Sequence, residues 1–328
     1  MKMDKRNKQL ITDINTVSYE EYMSPSENYF LTIANMNMKI YNVLNKELKV
    51  VKEKYVSQVC ITKDDKHLIY SKTNSAMLYI YDIKNNCIKN KKILKRGAEI
   101  KFIIQADKYH ILIGLVNYKK NIIYDDLYRF EYSVYLYDLR DNSILEFVLD
   151  DNLELDDFPI IFNDIVYIPC AKLNYERKWM MFSNNELKPL NQSIENLDTC
   201  NHIEISKHEK YMACRYDDHI DLYDINEMKI VQVIRKPKIK DDFEDEALRK
   251  ACRGHFGINR ENQEVYYSIC ENKIDIYNFE TNQWSSIIVD CNTYIMDCLI
   301  SFNNNQIFFR IPDIVHCYCH ICDLNNYI

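Results

Sequence analysis

The residues best suited to chemistry by type and spacing are His316-Cys317-Tyr318-Cys319-His320-Ile321-Cys322, the densest run of metal-ligand side chains in the chain. Zinc takes four Cys or His ligands in a tetrahedron, most often from two short knuckles on different segments. This run has the periodicity of a strand. Alternation sends Cys317 and Cys319 to one face and His316, Tyr318, His320 and Cys322 to the other. No second knuckle accompanies it, so these cysteines read as small buried hydrophobes, and no metal or cofactor is expected. Phosphate-cradling loops need glycine, and the chain has only 4. A Gly-x-Ser-x-Gly elbow and a His-Glu-x-x-His helix are both missing.

What remains is recognition by charge. Asp150-Asp151-Asn152-Leu153-Glu154-Leu155-Asp156-Asp157 is one acidic run and Asp241-Asp242-Phe243-Glu244-Asp245-Glu246 is another. The second is preceded by the basic Arg235-Lys236-Pro237-Lys238-Ile239-Lys240 and followed by Arg249-Lys250. An acidic first turn and a basic last turn suit a short helix. Together the runs define a candidate partner-binding rim of Asp150, Asp151, Glu154, Asp156, Asp241, Asp242, Phe243, Glu244, Asp245 and Glu246, suited to a basic peptide. The plainer reading of any charge run is a solvated surface. From Lys89 to Lys101 the chain is basic, with Lys91, Lys92, Lys95 and Arg96. Lysines on an outer strand also keep sheet edges from pairing with each other.

The elements that position these residues show as a repeat. An alternating strand ending in Tyr-Asp or Tyr-Asn recurs at Met38–Asn42, Leu78–Asp82, Val134–Asp138, Ile220–Asp224 and Ile274–Asn278, with a weaker copy at His320–Asp323. Asn42 and Asp82 lie 40 residues apart, Asn278 and Asp323 lie 45 apart, and the 86 residues from Asp138 to Asp224 hold two periods. Lys178–Ser183 sits where the missing copy belongs. Upstream of each copy an Asn/Asp/Ser-rich turn precedes an apolar strand, as in Ser24-Pro25-Ser26-Glu27-Asn28 before Tyr29–Ile33 and Thr62–Lys66 before His67–Tyr70. Repeats of about 40–45 residues with four short strands each are the mark of a propeller.

Over nearly its whole length the chain resembles the WD40 family. Ser-Pro-Ser-Glu-Asn stands where a blade has Ser-Pro-Asp-Gly, and Tyr-Asp or Tyr-Asn stands where it has Trp-Asp. The resemblance implies an all-β fold: one β-propeller domain over residues 1–328, about seven four-stranded blades, and a ring closed by an N-terminal strand at residues 9–14. It places two insertions, 116–131 and 235–250, on the rim that carries the connections between blades. The Gly-His pair of strong WD40 blades is missing at its usual place, so blade packing is expected to rest on apolar contacts more than on buried polar networks. Tyr277–Trp284 reads like a kelch segment, but the Gly-Gly doublet of kelch blades does not occur.

Composition bounds the function. The net charge is −7 and the pI about 5.7, which disfavours nucleic acid as a partner. No stretch of 18 apolar residues occurs, so no membrane span is expected. The 12 cysteines show no disulfide-framework spacing, which fits a reducing, cytoplasmic or else nuclear location. The expectation is a non-catalytic scaffold that binds other proteins or peptides, basic ones among them, within an intracellular complex. Two alternatives stay open: an enzyme or small-ligand binder using the central channel, and a phosphoinositide-binding propeller. The paired-Arg signature of the latter is reduced to Cys252-Arg253-Gly254.

Overall fold

A computed structural model describes residues 9–10, 18–34, 37–120, 128–150, 153–156, 159–162, 165–172, 177–190, 202–205, 211–216, 219–224, 227, 229–235, 256–259, 264–268, 273–278, 281–288, 297–301, 306–312 and 317–323. Their regular structure is all strand. In chain order come β1 (Gln9–Leu10), β2 (Ser18–Met23), β3 (Tyr29–Ala34), β4 (Asn37–Asn42), β5 (Glu47–Val51), β6 (Val56–Ile61), β7 (His67–Lys72), β8 (Met77–Asp82), β9 (Cys87–Ile93) and β10 (Ala98–Gln105). There follow β11 (His110–Lys120), β12 (Tyr128–Asp138), β13 (Ile144–Val148), β14 (Leu153–Leu155), β15 (Ile160–Phe162), β16 (Ile165–Lys172), β17 (Arg177–Ser183), β18 (Glu186–Pro189), β19 (His202–Ile205) and β20 (Tyr211–Arg215). The remainder are β21 (His219–Asp224), β22 (Lys229–Arg235), β23 (Phe256–Asn259), β24 (Glu264–Ser268), β25 (Lys273–Asn278), β26 (Gln283–Ile288), β27 (Asp297–Ser301), β28 (Gln306–Pro312) and β29 (Cys317–Asp323).

Among the described residues these strands make seven antiparallel sheets of four or five strands, built mostly from strands consecutive in the chain. The last sheet runs β1-β29-β28-β27. There Gln9 pairs with Ile321 and Leu10 with His320. Of the strand expected over residues 9–14, residues 11–14 lie outside the described residues. The chain packs as two compact units, residues 24–198 and residues 1–23 with 199–328.

Within the first unit, β8 and β7 lay Leu78, Ile80 and Ile69 against Ile111, Ile113, Leu115 and Tyr135 of the next sheet. That sheet in turn lays Phe102, Leu112 and Val134 against Val166, Ile168 and Phe182. In the other unit, Ala213, Ile220, Leu222 and Ile234 pack on Tyr277. A middle strand is therefore covered on both faces, and four successive residues are buried in β7, Leu68 to Ser71. An outer strand is covered on one side only, so β9 alternates exposed and half-buried residues. Each fully buried Leu or Ile contributes about 1.5–3 kcal/mol.

The Tyr-Asp and Tyr-Asn endings are turns. Asn42 Oδ1 accepts from the Leu44 and Asn45 N–H groups, and Asp82 Oδ1 from Asn85 N–H at 2.8 Å. Asp138 Oδ1 accepts from Arg140 N–H at 2.8 Å, and Asn278 Oδ1 from Thr281 N–H at 2.9 Å. A short acceptor is needed at that position, which Asp and Asn both supply. Four residues on, the backbone is left-handed at Lys46, Asn86, Asn142 and Asn282, with φ between 55° and 61°. Asparagine tolerates this conformation better than other non-glycine residues, and this glycine-poor chain uses it three times in these four turns.

Two expectations change. Residues 116–131 are not simply a loop: pairing continues from Val116↔Tyr132 out to Lys120↔Tyr128, so the insertion lengthens the β11–β12 hairpin. Sheet packing also has a polar part. Tyr137 Oη donates to Asn142 Oδ1 at 2.5 Å, and Asn90 of the preceding sheet donates to the same oxygen at 2.6 Å. In the other unit Tyr277 Oη and Gln232 Nε2 converge on Asn282 Oδ1 in the same way, at 2.8 and 2.5 Å. The tyrosine of the repeat thus brings a hydroxyl that joins a turn to its neighbouring sheet.

Candidate functional site

In the first unit, the end of the sheets that carries the β11–β12 hairpin gathers acids and aromatics. The lengthened hairpin stands Tyr118 opposite Phe130. Their rings meet edge to face at 5.4 Å, and both residues are 44% exposed. Tyr118 Oη donates to Glu99 Oε2 at 3.0 Å. Glu131, next to Phe130, shares Lys95 Nζ with Glu146, each at 3.3 Å. Lys101 stands 3.9 Å from Glu99. Glu99, Glu131 and Glu146 outnumber Lys95 and Lys101 here, so the local charge is negative.

The first acidic run joins this end. Asp150 is exposed and Leu153–Leu155 forms β14, with Glu154 opposite Ala171 on β16. Part of this acidic run is therefore a strand, β14. The reason is its period of two: Leu153 and Leu155 pack on the core between sheets. Tyr132 is pushed up to about 12 by burial and by the Glu154 carboxylate it bonds. The inner strand breaks after Leu155 and resumes as β15, because the partner facing the break is Pro169. Its C=O accepts from Asp156 N–H at 3.1 Å, and it has no N–H to return. Asp156 is exposed.

Of the predicted rim, the structure thus brings Asp150, Glu154 and Asp156 to one edge. Asp151, Asp241, Asp242, Phe243, Glu244, Asp245 and Glu246 lie outside the described residues. Sequence reading missed Glu99, Tyr118, Phe130 and Glu131. The signal was present: alternation runs unbroken through Glu131-Tyr132-Ser133-Val134, which marks a strand rather than an insertion.

The opposite end of the same sheet is held by charge within itself. Arg140 places its guanidinium on Asp138 at 2.5 Å and over the Tyr109 ring at 4.7 Å. His110 lies between Asp107, 2.6 Å from Nδ1, and Asp138, 3.4 Å from Nε2. The Arg140 hydrogen bonds hold the Asp138 carboxyl well below the usual carboxylate range. A carboxyl depressed on folding stabilises above its unfolded value, about 3.9, and that stabilisation is lost as pH falls through the folded value. Asp138→Asn is expected to be less stable than the parent at pH 7, with the gap closing below about pH 4. Urea midpoints of both proteins across that range measure it, and a pH-independent gap contradicts it.

Burial pushes the Cys60 thiol up to about 11. Burial and then Asp156 push Cys170 up to about 12. Both stay protonated at neutral pH, which suits packing and not nucleophilic attack. The strand read in the Cys/His run is present as β29, and the side chains of that run lie outside the described residues. Among the described residues no three His, Cys, Asp or Glu side chains converge on a metal position, and no helix is long and apolar enough to cross a membrane.

No family model matches the chain, and no curated protein matches its sequence. The fold class is therefore carried by the sheets themselves: an all-β protein of repeated antiparallel four-stranded sheets.

Proposed function

We propose that the chain is a single seven-bladed WD40-like β-propeller whose last blade is completed by the N-terminal strand. In this reading it works in the cytoplasm as a non-catalytic platform that binds a basic segment of another protein. The seven sheets and the β1–β29 pairing support the architecture. The free thiols of Cys60 and Cys170 suit a reducing compartment.

The observation that carries the functional reading is that Glu99, Glu131, Asp150 and Glu154 lie toward the same end of the strands as the exposed Tyr118–Phe130 pair, Glu99 on the face of that pair and Glu131 on the other. Carboxylates attract Lys and Arg, and aromatic faces add a cation–π contribution of about 0.5–1 kcal/mol at exposed sites. The acidic end is set on strands, so its geometry is fixed before a partner arrives.

The test is anisotropy with a labelled peptide of alternating arginine and serine. The parent protein is expected to bind it, more weakly as salt rises. The double change Glu99→Lys with Glu131→Lys is expected to weaken binding roughly tenfold or more, as reversal of two close charge pairs does. Glu47→Lys with Glu186→Lys makes the same change of charge at hairpin turns at the other end of the strands and is expected to leave binding within about twofold. Equal losses in both variants would reduce the effect to net charge and end the proposal.

A further inference from the structure

A second surface has the opposite sign. Residues 84–96 contain Lys84, Lys89, Lys91, Lys92, Lys95 and Arg96 and no acidic residue, on a chain whose net charge is −7. Three of them, Lys89, Lys91 and Lys92, ride on β9, the last strand in the sheet order β6-β7-β8-β9, whose outer edge pairs with no strand among the described residues. Cys87, Lys89, Lys91 and Ile93 form the exposed row of that strand. The other row is committed to the next sheet: Asn90 reaches Asn142 at 2.6 Å and Lys92 Nζ reaches Asn142 O at 3.4 Å. Lys95 is taken by Glu131 and Glu146. Lys89 instead approaches His67 Nε2 at 3.5 Å. Lys91 Nζ lies 5.5 Å from the centre of the Tyr79 ring. Its neighbour Lys72 pairs with Glu53 at 2.6 Å. Burial and the Lys89 charge push the His67 imidazole down from its ordinary value, so this residue gives Lys89 no counter-charge.

We infer that the outer edge of β9 is a docking site for an extended acidic segment of a partner protein, which adds to the sheet as a further strand. The edge offers backbone groups for pairing. Its lysines select what pairs. Two copies of this edge would set Lys89 and Lys91 against lysines, which is repulsive. A strand with carboxylates at alternate positions would meet them as opposite-charge cross-strand pairs. The ladder to β8 skips Lys89, between Ile80↔Asn90 and Tyr81↔Ile88, so Lys89 and Lys91 supply charge along one exposed row while the regular pairing edge runs from Asn90 to Ile93. The apolar Cys87 and Ile93 at the two ends of the row favour a peptide over a nucleic acid, which has no strand-forming backbone.

The probe is a short peptide of alternating valine and glutamate, titrated into the full chain. Two comparisons accompany it: the same composition with proline at two valine positions, and a short oligothymidylate. Binding of the valine–glutamate peptide is expected, and proline is expected to weaken it roughly tenfold or more by removing pairing donors. Lys89→Glu with Lys91→Glu is expected to lose the peptide by a similar factor and to bind a valine–lysine peptide in its place. Circular dichroism of the double variant guards against misfolding. Four results each overturn the inference: no binding by the parent protein, equal binding of the proline peptide, unchanged affinity in the double variant, or tighter binding of the oligothymidylate.

Discussion

Replacing Gly114 by alanine is expected to destabilise residues 24–198 by about 1–3 kcal/mol, and by valine at or beyond the upper end of that range. Gly114 sits inside β11, opposite Phe102 and Val134. A Cβ placed there would lie 2.2 Å from Phe102 Cε1, 2.5 Å from Cδ1 and 2.8 Å from Leu155 Cδ1. Real Cβ atoms do not approach so closely, so the ring or the strand must move. Phe102 is 1% exposed and has little space to move into, since protein interiors are close-packed. The glycine is there for room, not for turn geometry. Trp179 is the one tryptophan of this unit and is buried. In a Trp284→Phe background its fluorescence therefore follows denaturation of this unit. Phe102→Leu alone should also destabilise, by about 1 kcal/mol. Combined with Gly114→Ala it should cost less than the two changes summed, because the smaller side chain opens the space. Strict additivity would show that the ring is not the obstacle. The same experiment touches the binding surface: Leu155 is the neighbour of Glu154, so displacing it shifts the carboxylate that bonds Tyr132.

The repeat was legible because its signal is chemical as well as periodic. Asp and Asn recur at the strand ends since an Asx acceptor closes each turn, a requirement that holds in a chain with only 4 glycines. The fourth sheet hid its copy for an equally local reason. Its third strand ends in Ser183 and turns through Asn184 and Asn185, with φ of 50° and 60°. Two successive left-handed residues make a two-residue hairpin turn, which needs no acceptor at the strand end, so the Tyr-Asp signature has no work there. The hairpin carrying Tyr118 and Phe130 was misjudged because an excess over a 40-residue period was assigned to a loop. Period arithmetic says how many residues are extra, not whether they pair. Glu154 was legible as charge, whereas its place on a strand follows from the leucines on either side of it, which pack on the core. The polar joints between sheets were not foreseen at all. They need an amide on one outer strand, Asn90 or Gln232, to reach a turn 45–52 residues further on, and no local pattern states that distance.

Those joints lead to the second large effect. Asn142 does two things: it holds a left-handed backbone, φ 61°, and its Oδ1 accepts from both Tyr137 and Asn90. Substitutions separate the two. Asn142→Ala loses the acceptor and strains the backbone, and is expected to cost about 2–4 kcal/mol, combining a left-handed penalty with a buried hydroxyl left without its acceptor. Asn142→Gly relieves the backbone and keeps only the hydroxyl penalty, about 1–3 kcal/mol. Asn142→Asp retains an acceptor in a residue that tolerates the conformation, and should be the mildest of the three. Tyr137 is fully buried, so its hydroxyl cannot turn to water. Adding Tyr137→Phe to Asn142→Gly should therefore recover stability, since removing both partners avoids the stranded group. Denaturation followed through Trp179 gives all four values. If glycine proves as costly as alanine and Tyr137→Phe recovers nothing, the turn conformation and the hydroxyl bond are not what Asn142 supplies, and the joint between these two sheets is apolar after all.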